Sequence, residues 1–302
     1  MKSSTTVKWE DQLSKKVLLT SGIRQGGILS PLLFIVFVDV VLDKLEKSNL
    51  GCFINMNCFN SFMYADDIIL LSNTVSDLQS LFNMCTEIFF DLDLPINISK
   101  CHCIRIGPRY NAICKNLTIN DVSIDWVDNI KFLGVTLCKS KSLKFDWQDS
   151  KRKFFTSANT IFGRLGSCTP TATLLKIFDT QCVPSFTYGF VATSLTKTEC
   201  SSLSYVYNSM YAKMFNTSNN QTIINCQYYT GHLNFERFYD LNRLLFLDKL
   251  FKTSQLSSLS KVDEPDFRDY TVLKNKYCIQ LKDSVNTIKY KVWLDFVKYL
   301  SI

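Results

Sequence analysis

The segment Phe62-Met63-Tyr64-Ala65-Asp66-Asp67-Ile68-Ile69-Leu70-Leu71 constrains this chain more than any other. Two adjacent carboxylates stand between two short apolar runs. Period-2 apolar runs flanking a tight polar pair predict a β-hairpin with the carboxylates at its turn. That arrangement lifts both acids out of the core and onto one exposed point. Like charges repel and charge is costly to bury, so an acidic pair framed by apolar residues calls for a reason. A bound divalent cation is one. Adjacent Asp residues holding Mg²⁺ suit phosphoryl transfer, in which two metals about 4 Å apart clamp the attacking and leaving oxygens. Taken alone, most Asp-Asp pairs are solvated turns, so the neighbours must decide.

At 302 residues the chain is long enough for two or three packed units. Hydrophobic residues make up 46% and charged residues 20%, a globular rather than a disordered balance. A net charge of +7 permits contact with a polyanion without demanding it, because the excess is spread along the chain. Among twelve cysteines only Cys101 and Cys103 are close neighbours, and no pair has the spacing of a zinc ribbon or knuckle. With no signal peptide, the thiols read as reduced and mostly buried, in an intracellular protein of the cytoplasm, the nucleus or both. The longest uncharged apolar stretch, Gln25 to Val38, is too short to span a bilayer and reads as a buried core helix.

Along the chain, residues 5–21 predict an extended pair turning at Glu10-Asp11-Gln12. A glycine-rich loop, Ser21 to Gly27, leads into Ser30-Pro31, where Ser can cap a helix and Pro suits its first turn. That helix runs to about Leu45, with Leu32, Leu33, Val36, Val40 and Val41 as its apolar face. A second amphipathic helix covers 75–90 through Leu78, Leu81, Phe82, Cys85 and Phe89, and Asp91 to Pro95 breaks it. Cys101–Ile106 alternates like a strand, which points His102 away from its flanking cysteines and weighs against a metal site there. Asn116–Ile124 reads as a hairpin turning at Asn120-Asp121, and Ile130–Leu137 as a further strand. After Ser140 the strand signal fades, and helix follows with breaks near Thr169-Pro170, Pro184, Asn216–Asn220 and Glu264-Pro265.

Several motifs stand in one order: Gly22-Ile23-Arg24-Gln25-Gly26-Gly27-Ile28-Leu29-Ser30-Pro31-Leu32-Leu33-Phe34, then Tyr64-Ala65-Asp66-Asp67, then Asn97-x-x-Lys100, then Phe132-Leu133-Gly134. Together they resemble the palm of a reverse transcriptase of the kind carried by non-LTR, LINE-like retrotransposons. Trp9 and Leu13-Ser14 resemble the segment before the glycine loop, and Pro184-x-x-x-Tyr188-Gly189 a stretch of the thumb and connection region. The fold this implies is α+β: a partial polymerase palm over 1–140, a helical thumb over 141–195, and a helical C-terminal region over 196–302.

The resemblance also implies roles. Asp66 and Asp67 would be the catalytic carboxylates and bind Mg²⁺, with Mn²⁺ as a substitute. Tyr64 would lie under the nucleotide and primer end; ordinary hairpin packing is the plain alternative. Arg24, Gln25, Gly26 and Gly27 would border nucleotide and template, since glycines let backbone approach a ligand and a helix N-terminus favours phosphate. Lys100 would sit near the triphosphate, where a lysine can offset leaving-group charge, or else be an exposed strand-edge lysine. Phe132, Leu133 and Gly134 would form the primer grip, or else a core strand. Lys151, Arg152 and Lys153 would track the nucleic-acid backbone, or else line a solvated helix face. The partners would be an RNA template, a DNA primer and deoxynucleoside triphosphates, with no membrane.

One departure matters. The family's palm carries a third Asp on a strand before the Trp9-like segment, and its fingers lie further upstream. The sequence here starts eight residues before Trp9, and Asp11 does not match that position. The expectation is an N-terminally truncated reverse transcriptase that does not polymerise by itself. The competing readings are a viral RNA-dependent RNA polymerase, an intron-encoded maturase, a non-catalytic nucleic-acid-binding remnant and a non-functional gene fragment.

Overall fold

Glycines, prolines and left-handed turn residues cut the first half of this chain into short strands around two helices, and the second half is mostly helical. The computed structural model describes residues 3–19, 26–54, 57–165, 169–252 and 265–300. All described strands lie before residue 147, with two helices at 30–46 and 75–91 interleaved among them, and helix dominates thereafter, an α+β pattern. The chain divides into two compact units: Met1–Phe132 with Cys138–Lys144, and Leu133–Leu137 with Phe145–Ile302.

The first unit opens with two nested ladders rather than one extended pair. Strand β1 (Ser3–Thr5) pairs antiparallel with β4 (Val17–Leu19), and β2 (Lys8–Trp9) pairs with β3 (Gln12–Leu13). Glu10, at φ 51°, makes the inner turn where the polar cluster predicted it.

Helix α1 (Ser30–Glu46) follows, with Pro31 in its first turn. Its N-cap is Leu29, one residue before the Ser30 that sequence favours. Its buried residues are Val38, Val41 and Leu45. Leu32, Leu33, Val36 and Val40 are instead 58%, 63%, 67% and 38% exposed, so of the expected apolar face only Val41 is buried. The core-helix reading of Gln25 to Val38 fails, with Val38 alone buried among the described residues of that stretch. The reason is local: Leu32 to Val38 is apolar without interruption, and a helix apolar all round carries no periodicity that selects one side.

Strands β5 (Cys52–Ile54) and β6 (Asn57–Phe59) form one hairpin, and β7 (Ser61–Tyr64) and β8 (Asp67–Leu70) the next. Helix α2 (Val75–Asp91) is capped by the Thr74 hydroxyl, which accepts from the Asp77 amide at 3.1 Å. It buries Leu81, Phe82, Cys85, Ile88 and Phe89. Leu81, Cys85, Ile88 and Phe89 pack with Val38, Val41 and Leu45 into one core cluster, which Met63, Ile68 and Leu70 close from the hairpin side, while Phe82 packs into a second cluster with Cys103, Leu117, Ile119 and Ile124.

Residues 101–106 do not form the expected strand. A short 3-10 turn (Ile98–Lys100) leads into one isolated bridge from Cys103 to Trp126 and another from Ile106 to Ser140. The alternation is nonetheless real, since His102 is exposed and Cys103 buried. The strands β9 (Leu117–Ile119) and β10 (Val122–Ile124) turn at Asn120 and Asp121, both at positive φ, as the sequence indicates.

Strands β11 (Asn129–Phe132), β12 (Val135–Cys138) and β13 (Lys144–Asp146) make a three-stranded sheet through which the division between the units runs. Two expectations fail here. The single strand over 130–137 is a hairpin, because Leu133 (φ 47°) and Gly134 (φ 81°) are both left-handed, the I′ pattern of a two-residue turn. A strand also persists beyond Ser140.

The rest of the second unit is mostly helical over the described residues. Its helices are α3 (Gln148–Leu165), α4 (Thr171–Ile177), α5 (Val183–Thr187), α6 (Lys197–Met214), α7 (Asn220–Tyr229), α8 (Phe235–Lys252), α9 (Pro265–Lys276) and α10 (Val285–Leu300). Pro184 does not break the chain: a π turn (Phe178–Cys182) feeds directly into α5, whose first turn tolerates proline. Phe154, Phe178, Phe186, Phe190, Tyr207, Tyr211 and Phe235 form a buried aromatic core. No described helix is long and apolar enough to cross a membrane.

Candidate active site on the Asp66-Asp67 hairpin

The hairpin β7–β8 sorts its side chains by register. Met63 pairs with Ile68 and Ser61 with Leu70, and this face turns toward the core. Phe62 pairs with Ile69 and Tyr64 with Asp67, and this face is open: Phe62 is 50% and Tyr64 65% exposed. Opposed residues share a face, so the ring of Tyr64 and the carboxylate of Asp67 lie side by side on the open surface. Asp66 occupies the turn and is exposed.

The turn itself is strained. Ala65 has φ 53°, a left-handed conformation that costs a non-glycine residue about 1–2 kcal/mol. Strain persists where surrounding structure over-determines it, and it concentrates at functional sites. The surroundings here are specific. Asn60, 4% exposed, donates through Nδ2 to the Leu45 carbonyl at 2.6 Å, which fastens the base of the hairpin to the end of α1. The Leu71 amide donates to the Asn60 carbonyl at 2.7 Å. Gly51 makes room for this anchor, since a Cβ there would lie 2.6 Å from the Cβ of Asn60. Sequence reasoning passed over Asn60; its one signal is a lone amide inside the run Cys58-Phe59-Asn60-Ser61-Phe62.

Two carboxylates on adjacent residues offer hard oxygen donors of the kind Mg²⁺ takes, and that ion is usually held by one or two carboxylates with waters and substrate phosphates completing its shell. The pair therefore fits a divalent cation. No group of three or more His, Cys, Asp and Glu that could hold a metal occurs among the described residues.

The other sequence-derived positions are placed as follows. Arg24 and Gln25 lie outside the described residues. Gly26, at φ 81°, and Gly27 lead into α1, and the Gly27 carbonyl accepts from the Ser30 amide at 3.2 Å. Lys100 is exposed at the end of the 3-10 turn rather than on a strand edge. Tyr64, Asp66 and Asp67 thus share one turn, while Lys100 sits on a separate one. Phe132 ends β11, and Leu133 and Gly134 form the hairpin tip, which belongs to the second unit.

Lys151, Arg152 and Lys153 occupy the first turns of α3. Lys151 donates to the Ser202 hydroxyl at 2.7 Å, and Arg152 pairs with Asp149 at 3.0 Å. Arg152 and Lys153 are exposed and border a shallow cavity of about 310 Å³ with Thr156, Ser157 and Ser185. A neighbouring cavity of about 290 Å³ continues past Thr160, Ile161 and Gln181. Hydroxyls and cations along one helix suit a phosphate backbone.

Residues 2–137 match the family described as reverse transcriptase (RNA-dependent DNA polymerase). The chain is also similar to three curated proteins. It is 26% identical over 139 residues to the Retrovirus-related Pol polyprotein from type-2 retrotransposable element R2DM of Drosophila melanogaster, covering 43% of this chain and 13% of that protein. It is 33% identical over 87 residues to the Retrovirus-related Pol polyprotein from type-1 retrotransposable element R2 of Nasonia vitripennis, covering 29% and 8%. Against the type-1 R2 polyprotein of Popillia japonica it is 27% identical over 134 residues, covering 41% and 22%. The matched stretch thus spans less than a quarter of each relative.

Proposed function

We propose, from the match of residues 2–137 to the reverse transcriptase family and their similarity to R2 retrotransposon polyproteins, that this chain is part of an RNA-directed DNA polymerase of non-LTR retrotransposon type. The observation that carries the reading is the Asp66-Asp67 pair on a strained, anchored and outward-facing turn. The reaction is attack of a primer 3′-hydroxyl oxygen on the α-phosphorus of a deoxynucleoside triphosphate. One P–O bond forms, the bond to the β-phosphate breaks, pyrophosphate leaves and the hydroxyl proton is lost.

Reverse transcriptases use divalent metals; here we assign Mg²⁺, with Mn²⁺ as a substitute, to Asp66 and Asp67. Bound there, the ion would neutralise charge on the reacting phosphate oxygens. Tyr64 offers its ring beside Asp67 to the nucleotide or primer end. Gly26 and Gly27, with Arg24, Gln25 and Lys100, are assigned to nucleotide and template. Phe132, Leu133 and Gly134 are assigned to the primer grip, and Lys151, Arg152 and Lys153 to the nucleic-acid backbone. Residues 1–140 are read as palm, 141–195 as thumb and 196–302 as a helical region of unassigned role. An RNA template and a DNA primer, met inside the cell in cytoplasm or nucleus, complete the reading.

Two carboxylates fix in-line geometry poorly without a third, and a misplacement of about 1 Å can cost about 10²-fold. The purified chain is therefore expected to bind template–primer with Mg²⁺ and not to extend it. Primer extension by wild type and Asp66→Asn measures this directly. Extension that is lost in Asp66→Asn would show the two carboxylates to suffice.

Exposed Arg152 and Lys153 beside Thr156, Ser157 and Ser185 support a second reading, a non-catalytic nucleic-acid-binding remnant. Its signature is salt-dependent RNA binding that survives Asp66→Asn.

A further inference from the structure

The Leu133-Gly134 turn is not shaped by its own strands alone. Within the second unit, a Cβ on Gly134 would stand 3.3 Å from Cε1 of Tyr188. A Cβ on Gly189 would stand 2.6 Å from Cγ2 of Val135 and 3.5 Å from the ring of Trp147. Both glycines have positive φ, 81° at Gly134 and 87° at Gly189. Two consecutive residues of the hairpin therefore meet two consecutive residues after α5, each contact made possible by a missing side chain. The segment carrying Tyr188 is rigid on both sides, because Phe186 and Phe190 are each 0% exposed in the aromatic core. Tyr188 itself is 56% exposed, so its ring leaves that core and lies along the turn. Leu133, at φ 47°, holds a conformation that an isolated hairpin would not favour with leucine.

We infer that Tyr188 is a positioning residue: its ring, braced by the aromatic core, sets where the Leu133-Gly134 turn holds the 3′ end of a bound primer. This rests on the reading of residues 132–134 as a primer grip. The Gly189–Val135 contact keeps the turn from sliding, and the ring of Tyr188 keeps it from tilting.

The test is photo-cross-linking of the full chain to an RNA template–DNA primer duplex with 5-iodouracil at the primer's 3′ terminus, followed by peptide mapping. Wild type and Tyr188→Phe are expected to cross-link at 132–134 alike, because the ring is retained. Tyr188→Ala is expected to bind duplex with little change, yet to lose roughly tenfold of the cross-link at the turn, the effect of a misplacement on the ångström scale. Near-UV circular dichroism checks its fold. If the alanine variant fails to fold, Tyr188→Leu replaces it, keeping an apolar side chain without a planar ring. A folded Tyr188→Ala or Tyr188→Leu chain that cross-links at 132–134 as wild type does overturns the inference. Wild type that binds the duplex but cross-links elsewhere overturns the primer-grip reading, and this inference with it.

Discussion

The two units solve the problem of burial in opposite ways. The second surrounds an aromatic centre: Phe154, Phe178, Phe186, Phe190 and Tyr211 are all at or below 1% exposure, and their ring centroids meet at 4.6–6.0 Å. The first divides its burial between two small clusters, one under half of α1 and one around Phe82 and the β9–β10 hairpin, and leaves Ile28, Leu29, Leu32, Leu33, Ile35 and Val36 more than half exposed. Five of its described ladders are isolated two-stranded pairs, β1–β4, β2–β3, β5–β6, β7–β8 and β9–β10, of a size that is marginal in water on its own. The unit with the acidic turn is thus the less self-sufficient one. A chemical site can be locally well anchored, as Asn60 anchors this hairpin, while the body around it is thinly packed.

Phe154→Ala should give the largest effect and tests whether the aromatic centre is the stabilising element of its unit. The ring touches Phe178 and Phe186 at 5.7 and 4.6 Å and is fully buried. Its loss is expected to cost about 3–5 kcal/mol. Chemical denaturation followed by tryptophan fluorescence reads it through Trp147, which is packed in the same core. A cost under about 1 kcal/mol would show that neighbouring rings refill the space.

The contrast can also be drawn within one helix. Leu45→Ala removes a side chain at 0% exposure and should cost about 2–5 kcal/mol. Leu33→Ala removes one at 63% exposure and should change stability by no more than about 0.5 kcal/mol. Equal costs would mean that the N-terminal half of α1 is covered in solution, and the comparison between units would need redrawing.

What the sequence made legible follows the same contrast. Hairpins at Asp66-Asp67 and Asn120-Asp121 were readable because turn chemistry and period-2 patterning agree there. Helix α2 was readable because its apolar residues fall on one face. The buried side of α1 was not, since seven successive apolar residues carry no phase. The Leu133-Gly134 turn was hidden because leucine is a poor left-handed residue, so the sequence carries no turn signal at its first position. The acidic pair was visible as residues, but its strain and its Asn60 anchor exist only in the folded chain.

Cysteine chemistry offers a finer probe of where each unit is closed. Burial pushes the Cys85 thiol up to about 12 and the Cys103 thiol up to about 11, with the nearby Cys101 adding to both. Thiolate is the reactive form, so at pH 8 Cys85 presents roughly a thousandfold less of it than an ordinary thiol. Cys278 is exposed. Iodoacetamide at pH 8 with mass-spectrometric mapping should therefore label Cys278 early and Cys85 and Cys103 late, with labelling of the latter two rising about tenfold per pH unit toward pH 11. Early labelling of Cys85 would show that the thin core of the first unit opens readily.

The smallest effect is the most informative about the acidic turn. Ala65→Gly relieves a left-handed alanine and should stabilise the first unit by about 1 kcal/mol, less the extra entropy glycine brings to the unfolded chain. Were the strain incidental, the variant would be more stable and would bind Mg²⁺ as wild type does. If the strain holds Asp66 and Asp67 in a shared orientation, the same variant gains stability while Mg²⁺ binding weakens, because glycine lets the turn relax away from it. Calorimetric titration of Mg²⁺ beside thermal unfolding separates these outcomes. Gain without loss would reduce the turn to a structural detail, whereas gain with loss would mark Ala65 as the residue that trades stability for the geometry of the pair.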